Sequence, residues 1–204
     1  RLQALADFLS RKKVKLSDNA QPEIDTAEAN RVYIHMLRAA TSGRQSDAEW
    51  VANRKIADGL PADDESYYAR MMRANTLSHR DWLAFAEKRR KMEWAWHEFF
   101  QTYDVLLCPA ASSAAFPHDQ EGERYQRTIT VNNKKVPTTD QLFWAGYTGV
   151  VYLPSTVAPA GLTKFGLPVG VQIVGPYGGD RTTIAFAKLL EKEWLGFQPP
   201  PNYA

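Results

Sequence analysis

Apolar residues Leu2, Leu5, Ala6 and Leu9 recur at spacings of three and four, which predicts an amphipathic helix at the start of the chain. That helix stops at the basic run Ser10-Arg11-Lys12-Lys13, after which Val14-Lys15-Leu16 alternates like a short strand. Asp18-Asn19 supplies turn chemistry. Pro22 fits the start of a second helix, with Asp25 and Glu28 spaced as a capping pair and Ala29, Tyr33, Met36, Leu37 and Ala40 turned inward. The polar patch from Thr41 to Asp47 ends it. Residues 48–103 stay helical in pattern, divided at Gly59-Leu60-Pro61, with Asp63-Asp64 placed at the next N-terminus where negative charge is favoured. The strongest stripe is Trp82, Phe85, Arg89, Met92, Trp96, Phe99 and Tyr103, one buried side of a long helix. Its spacing accounts for the aromatics as core, without any need for cofactor or base stacking.

Beyond residue 103 the period changes. Asp104-Val105-Leu106-Leu107-Cys108-Pro109 reads as a short apolar strand stopped by proline, and Thr128 to Val136 as a hairpin around Asn132-Asn133. Val150-Val151-Tyr152-Leu153 and Ser155-Thr156-Val157-Ala158 read as an extended segment broken at Pro154. Leu167 to Gly175 is apolar on both faces, the signature of a strand in mid-sheet under helices. A turn at Gly178-Gly179, with Asp180 as cap, leads to a last helix over Thr182–Leu195 that buries Ile184, Phe186, Ala187, Leu190 and Trp194. The proline-rich stretch Gln198 to Ala204 reads as a surface arm. The fold class is therefore α/β, with helices packed on a mixed sheet: residues 1–103 are mainly helical, and 104–204 carry the strands plus the final helix.

Composition narrows the function classes. With 44% hydrophobic and 24% charged residues the chain is globular rather than disordered. At 204 residues it is long enough to bury roughly 70% of its unfolded surface. A balance of 25 basic to 23 acidic residues, net +2, gives no electrostatic reason to expect nucleic acid or an anionic membrane as partner. One cysteine excludes an internal disulfide, and no apolar run approaches the about 18 residues of a spanning helix, so a cytoplasmic location is expected. The chain opens at Arg1 without Met, directly in helical pattern, and its doubly apolar strands want more partners than it offers. Both features suggest part of a larger core.

The chemistry-bearing candidates mostly resolve into structure. Cys108 ends an apolar strand with His118 ten residues on, but nothing local would lower the thiol pKa, so a buried structural cysteine is expected. Ser10-Arg11-Lys12-Lys13 and Ser17-Asp18-Asn19 imitate two serine-acylase motifs, yet the third is missing and the elements are not separated. Gly175-Pro176-Tyr177-Gly178-Gly179-Asp180-Arg181-Thr182 matches neither phosphate-loop pattern, and Asp180 would repel a phosphate. His35, His79, His97 and His118 have no metal-ligand spacing, so no metal or cofactor is expected. Asp63-Asp64-Glu65 reads as a solvated helix start and Lys134-Lys135 as a hairpin tip in water. Gln172, on the same face as Gly170 and Val174 of the most apolar strand, must find hydrogen-bond partners there. It reads as a structural amide ahead of a pocket residue.

The block Leu153-Pro154-Ser155-Thr156-Val157-Ala158-Pro159-Ala160-Gly161, followed by Gly166-Leu167-Pro168-Val169-Gly170-Val171-Gln172-Ile173-Val174-Gly175-Pro176, closely resembles the end of the amidase signature family. The resemblance runs on through Asp180-Arg181-Thr182 and back to Tyr103–Pro109, about residues 95–195. It implies a carbon–nitrogen hydrolase of amides, with a mixed sheet between helical layers and a nucleophilic serine, a second serine and a lysine as catalytic groups. In the family these lie in a Gly/Ser-rich N-terminal half, which has no counterpart in this sequence, so no catalytic residue is assigned. The resemblance implies a C-terminal portion that contributes sheet and pocket wall, inactive alone, whose partners are the missing N-terminal catalytic half and a small-molecule amide substrate. Where the family has an Asn-rich segment, Tyr147-Thr148-Gly149-Val150-Val151 stands instead. Asp140, Trp144 and Tyr147 fall where family pocket residues arise, and the two rings favour an apolar or aryl amide. The alternative is a non-catalytic binding module of the same fold. In either case an apolar strand edge over residues 150–175 predicts a homo-oligomer.

Overall fold

The computed structural model describes residues 1–200. In chain order these form α1 (Leu2–Arg11), α2 (Thr26–Ser42), α3 (Asp47–Gly59), α4 (Tyr67–Asn75), α5 (His79–Phe99), β1 (Leu106–Pro109), β2 (Thr128–Val131), β3 (Lys134–Pro137), α6 (Leu142–Gly149), β4 (Ser155–Leu162), β5 (Pro168–Val174) and α7 (Asp180–Glu193). The α/β class holds, with helices filling the first half and every strand in the second. Two compact units cut across that division: one takes residues 1–23, 96–118 and 152–204, the other 24–95 and 119–151.

The first unit is a sheet under helices. Its strands run in the order β1-β5-β4, all antiparallel, so β5 takes the central position its two apolar faces require. Val171 and Ile173 of β5 and Ala158 and Ala160 of β4 face Leu5 and Leu9 of α1 and Leu190 of α7, in one buried cluster. Full burial of side chains of this size stabilises by about 1.5–3 kcal/mol each. A bulge between Pro159 and Gly161 shifts the β4–β5 register. On the opposite face Cys108 and Gln172 sit directly across from each other.

The strand-to-helix turn after β5 needs glycine. A Cβ on Gly175 would lie 2.8 Å from Thr183 Cγ2. Asp180 is the first helical residue and not the cap; that position is Gly179, with no side-chain cap bond. Thr183 takes an inward place on α7, and its hydroxyl meets that of Thr156 at 2.9 Å. Ile184 turns outward and is exposed, contrary to expectation, while Phe186, Ala187 and Trp194 pack as expected. Val14-Lys15-Leu16 is not a strand: no strand pairs with it, and both apolar side chains stay exposed. Residues 201–204 of the expected proline arm lie outside the described residues.

The second unit is helical, with one hairpin. Asp25 caps α2 by accepting from the amides of Ala27 and Glu28, so the helix begins at Thr26 and Pro22, itself buried, lies upstream of it. Ala29, Val32, Ile34, His35 and Met36 are buried, and Ala40 faces out. The start of α4 is capped by Ser66, while Asp64 accepts from the Ser66 amide. The stripe on α5 is the inward side: Met92 is buried in this unit, and Trp96 and Phe99, which belong to the first unit, are buried as well. Around Asn132 and Asn133 both residues are left-handed (φ 50° and 63°), which closes β2 and β3 with the twist a two-residue hairpin needs. Residues 142–149, unassigned by pattern, form α6. Val150–Leu153 is a turn and not an extended segment: the Val150 amide closes the end of α6 on the Gly146 carbonyl. The chain then bends at Tyr152 (φ 59°) into β4. Among the described residues no helix is long and apolar enough to cross a membrane.

Candidate functional site

Asp140 lies in the 3-10 turn Thr138–Gln141, which runs without a break in helical backbone into α6. Spacings of four and three therefore bring Asp140, Trp144 and Tyr147 to one side of the segment. Tyr147 is buried and Trp144 half-buried. Their rings meet edge-on at 6.3 Å, and Phe143 stacks on Tyr147 at 5.7 Å and meets Trp144 edge-on at 5.1 Å. The structure thus adds a third ring, Phe143, to the aromatic pair read from sequence. Asp140 stays exposed at its surface side, yet desolvation by the surrounding protein raises its carboxyl pKa above the ordinary aspartate value. One carboxyl beside three rings can orient a polar group at the edge of an apolar surface.

Behind α6 lies a second group of residues that sequence spacing does not reveal. Gly146 lets the Tyr33 ring of α2 rest on the helix backbone: a Cβ there would sit 2.2 Å from Tyr33 Cδ1. Farther along α2, Arg38 donates from Nε to the Tyr67 hydroxyl at 3.0 Å and from Nη2 at still closer range. Tyr68, next in α4, meets Tyr125 at 4.7 Å with the two rings tilted by 36°. Burial raises the Tyr33 phenol pKa, as does Tyr67; Arg124 and Arg38 oppose the rise. The only trace of this group in the sequence is Tyr33 among the inward positions of α2.

The remaining candidates have structural roles. Cys108 is buried and its thiol is pushed up to about 12 by desolvation, which Gln172, donating from Nε2 to Sγ at 3.7 Å, only partly offsets. Such a thiol is not a nucleophile at neutral pH. The buried amide of Gln172 thus reaches a neighbouring strand. Lys12, in the serine-acylase look-alike, is paired with Glu193 at 2.9 Å. Among the described residues no group of three or more His, Cys, Asp or Glu could hold a metal ion.

Comparison with known proteins fits this architecture. A family model described as Amidase matches residues 1–184. Among curated proteins, the A-subunit of glutamyl-tRNA(Gln) amidotransferase from Methylocella silvestris is 29% identical over 140 residues, covering 68% of this chain and 24% of the relative. Its counterpart from Rhodospirillum rubrum is 35% identical over 101 residues, covering 50% of this chain and 18% of the relative. The matched stretches span a quarter or less of the length of these two relatives. Among solved structures, an amidase superposes with a TM-score of 0.65 at 16% identity, covering 94% of this chain and 40% of that one. A bacterial aryl acylamidase of the amidase signature family gives 0.64 at 18% identity, covering 97% and 43%. At such identities the structures speak for the fold alone. The family match carries the classification: this chain belongs to the amidase family, the amidase signature enzymes.

Proposed function

We propose that this chain is part of an amide carbon–nitrogen hydrolase, contributing sheet and pocket wall to a serine–serine–lysine catalytic half whose sequence lies outside it. One observation carries the reading: a family match over residues 1–184 contains no Gly/Ser-rich nucleophile segment. Its lone thiol, moreover, is held protonated by burial. Amide cleavage requires an activated nucleophile and donors aimed at the developing oxyanion, so the chain alone has no turnover. Asp140, Trp144 and Tyr147 line the substrate side. The ring cluster on α6 favours an apolar or aryl amide, and the Asp140 carboxyl on the same side of the segment offers it a hydrogen-bonding group. A cytoplasmic location and self-association belong to the same reading.

An anilide such as p-nitroacetanilide tests it. The chain alone should release no nitroaniline, and the same chain joined to a serine–serine–lysine amidase half should do so. In the joined protein Trp144→Ala should raise KM for the anilide more than for acetamide. Steady turnover by the purified chain alone would overturn the reading.

The exposed Val157, Leu162 and Phe165 of β4 and its connection to β5 favour the second reading, a non-catalytic interaction module. Under both readings light scattering should show the isolated chain self-associating. A stable monomer would count against an open apolar edge.

A further inference from the structure

Helix α5 carries two sides of opposite character. Toward the helical unit, Phe85 stacks on His35 at 4.3 Å, Lys88 pairs with Glu28 at 2.6 Å, and Met92 is buried. On the other side Leu83, Glu87, Arg90 and Trp94 recur at spacings of four, three and four, and all four are exposed. Such spacing makes one straight stripe along a helix, the pattern of a seam between two helices. It spans about three turns. Its ends are large apolar side chains left in water, Leu83 at 51% and Trp94 at 59% exposure, and its middle is one acid and one base.

The stripe is symmetric about the midpoint between Lys88 and Arg89. An antiparallel second copy of α5 therefore sets Leu83 against Trp94 of that copy and Glu87 against its Arg90, each contact occurring twice. A parallel copy would set glutamate against glutamate and arginine against arginine, so charge fixes the direction. Arg90 lies over the Trp94 ring at 5.7 Å and bonds Glu93 at 2.8 Å through Nη1, which leaves its other donors for a second carboxylate. Glu87 has no ion pair among the described residues. An acidic partner would meet repulsion at Glu87, and a basic one at Arg90. The chain's own helix, reversed, matches both.

We propose that this face of α5 is a homodimer interface, in which the antiparallel helices of two copies pack along Leu83, Glu87, Arg90 and Trp94. Burial of Leu83 and Trp94 drives the association, and the two Glu87–Arg90 pairs set its register. A seam of this length is smaller than a standard stable interface, so the dimer should be weak, with a Kd roughly in the micromolar range. This interface is independent of the amide-hydrolase reading and of the β4 edge, because it lies on another element and is read without turnover.

Sedimentation of the full chain at tens of micromolar tests it, and the unaltered chain should run as a dimer. Glu87→Arg and Arg90→Glu, both at exposed positions, should each leave the circular dichroism spectrum unchanged and weaken the dimer about tenfold or more. Mixed in equal amounts, the two variants should form a heterodimer, since every charge of the seam then meets its opposite. Trp94→Ala should weaken the dimer to a similar extent. An unaltered chain that stays monomeric would overturn the proposal and leave the face to solvent or to another protein. Self-association unmoved by either charge reversal would also overturn it, assigning the contact to the exposed strand edge. So would two charge-reversal variants that remain monomeric when mixed.

Discussion

The sheet unit and the helical unit are built on different principles. Around β5 the fit is chiefly hydrocarbon against hydrocarbon: Leu5, Leu9, Val171, Ile173 and Leu190 pack in one buried cluster. Around α6 and α2 the material is aromatic and polar: Tyr33 against Gly146, Arg38 on Tyr67, and Asp140 beside Trp144 and Tyr147. The first region tolerates no loss of volume and needs no particular chemistry. The second depends on shape at one glycine and on the placement of a few polar atoms. The two regions thus pack by different rules.

The sharpest break in that contrast is Ile173→Ala. This residue is fully buried in the central strand, so the substitution should cost about 3–4 kcal/mol in urea unfolding. Next is Gly146→Ala, which removes no volume at all. Its added methyl would strike the Tyr33 ring, and it should cost about 1–3 kcal/mol while changing the near-ultraviolet signal of the α6 aromatics. A loss below that of an ordinary surface alanine would mean that α2 and α6 separate freely.

A third test uses pH. His35 is buried against Phe85 with a ring separation of 4.3 Å, and its Nδ1 lies 2.8 Å from the Arg31 carbonyl oxygen. Burial lowers its pKa; the Arg31 carbonyl bond and Glu65 oppose this, while Arg31 and Arg70 add to it. The unfolded chain takes up a proton near the ordinary value of about 6.5, and the folded chain only at lower pH. Stability should therefore be flat for this group above that value. Below it, stability should fall by up to about 1.4 kcal/mol per pH unit until the folded form protonates as well. His35→Gln should flatten this part of the profile, and an unchanged slope would exclude His35 as its source. The smallest effect is expected from Asp25→Ala, about 1 kcal/mol from loss of the α2 cap, read by thermal melting.

Sequence reading succeeded where a residue's neighbours along the chain determine its environment. The double apolarity of Leu167 to Gly175 placed β5 in mid-sheet, and Asn132-Asn133 placed a tight turn because asparagine tolerates left-handed backbone. It failed where local preference was overridden. Val14-Lys15-Leu16 alternates correctly but has no partner strand. Val150 to Tyr152 is β-branched and aromatic, yet it serves as the exit from α6, where Tyr152 adopts a left-handed backbone. The helix α6 itself was hidden by its two glycines and its aromatics, which carry weak helix preference. In the candidate site, the positions Asp140, Trp144 and Tyr147 came from family resemblance, and their helical spacing is visible in the numbers. The Arg38–Tyr67 bond and the seat of Tyr33 on Gly146 were not legible, since only the fold brings segments so far apart in sequence together.

The pairing of Cys108 with Gln172 has a practical consequence. The single thiol lies at the seam between β1 and β5, shielded and protonated, so a thiol reagent can reach it only when that seam parts. The rate at which the native protein takes up such a reagent is then a clock for the opening of its sheet. No label has to be introduced, and no second cysteine has to be removed.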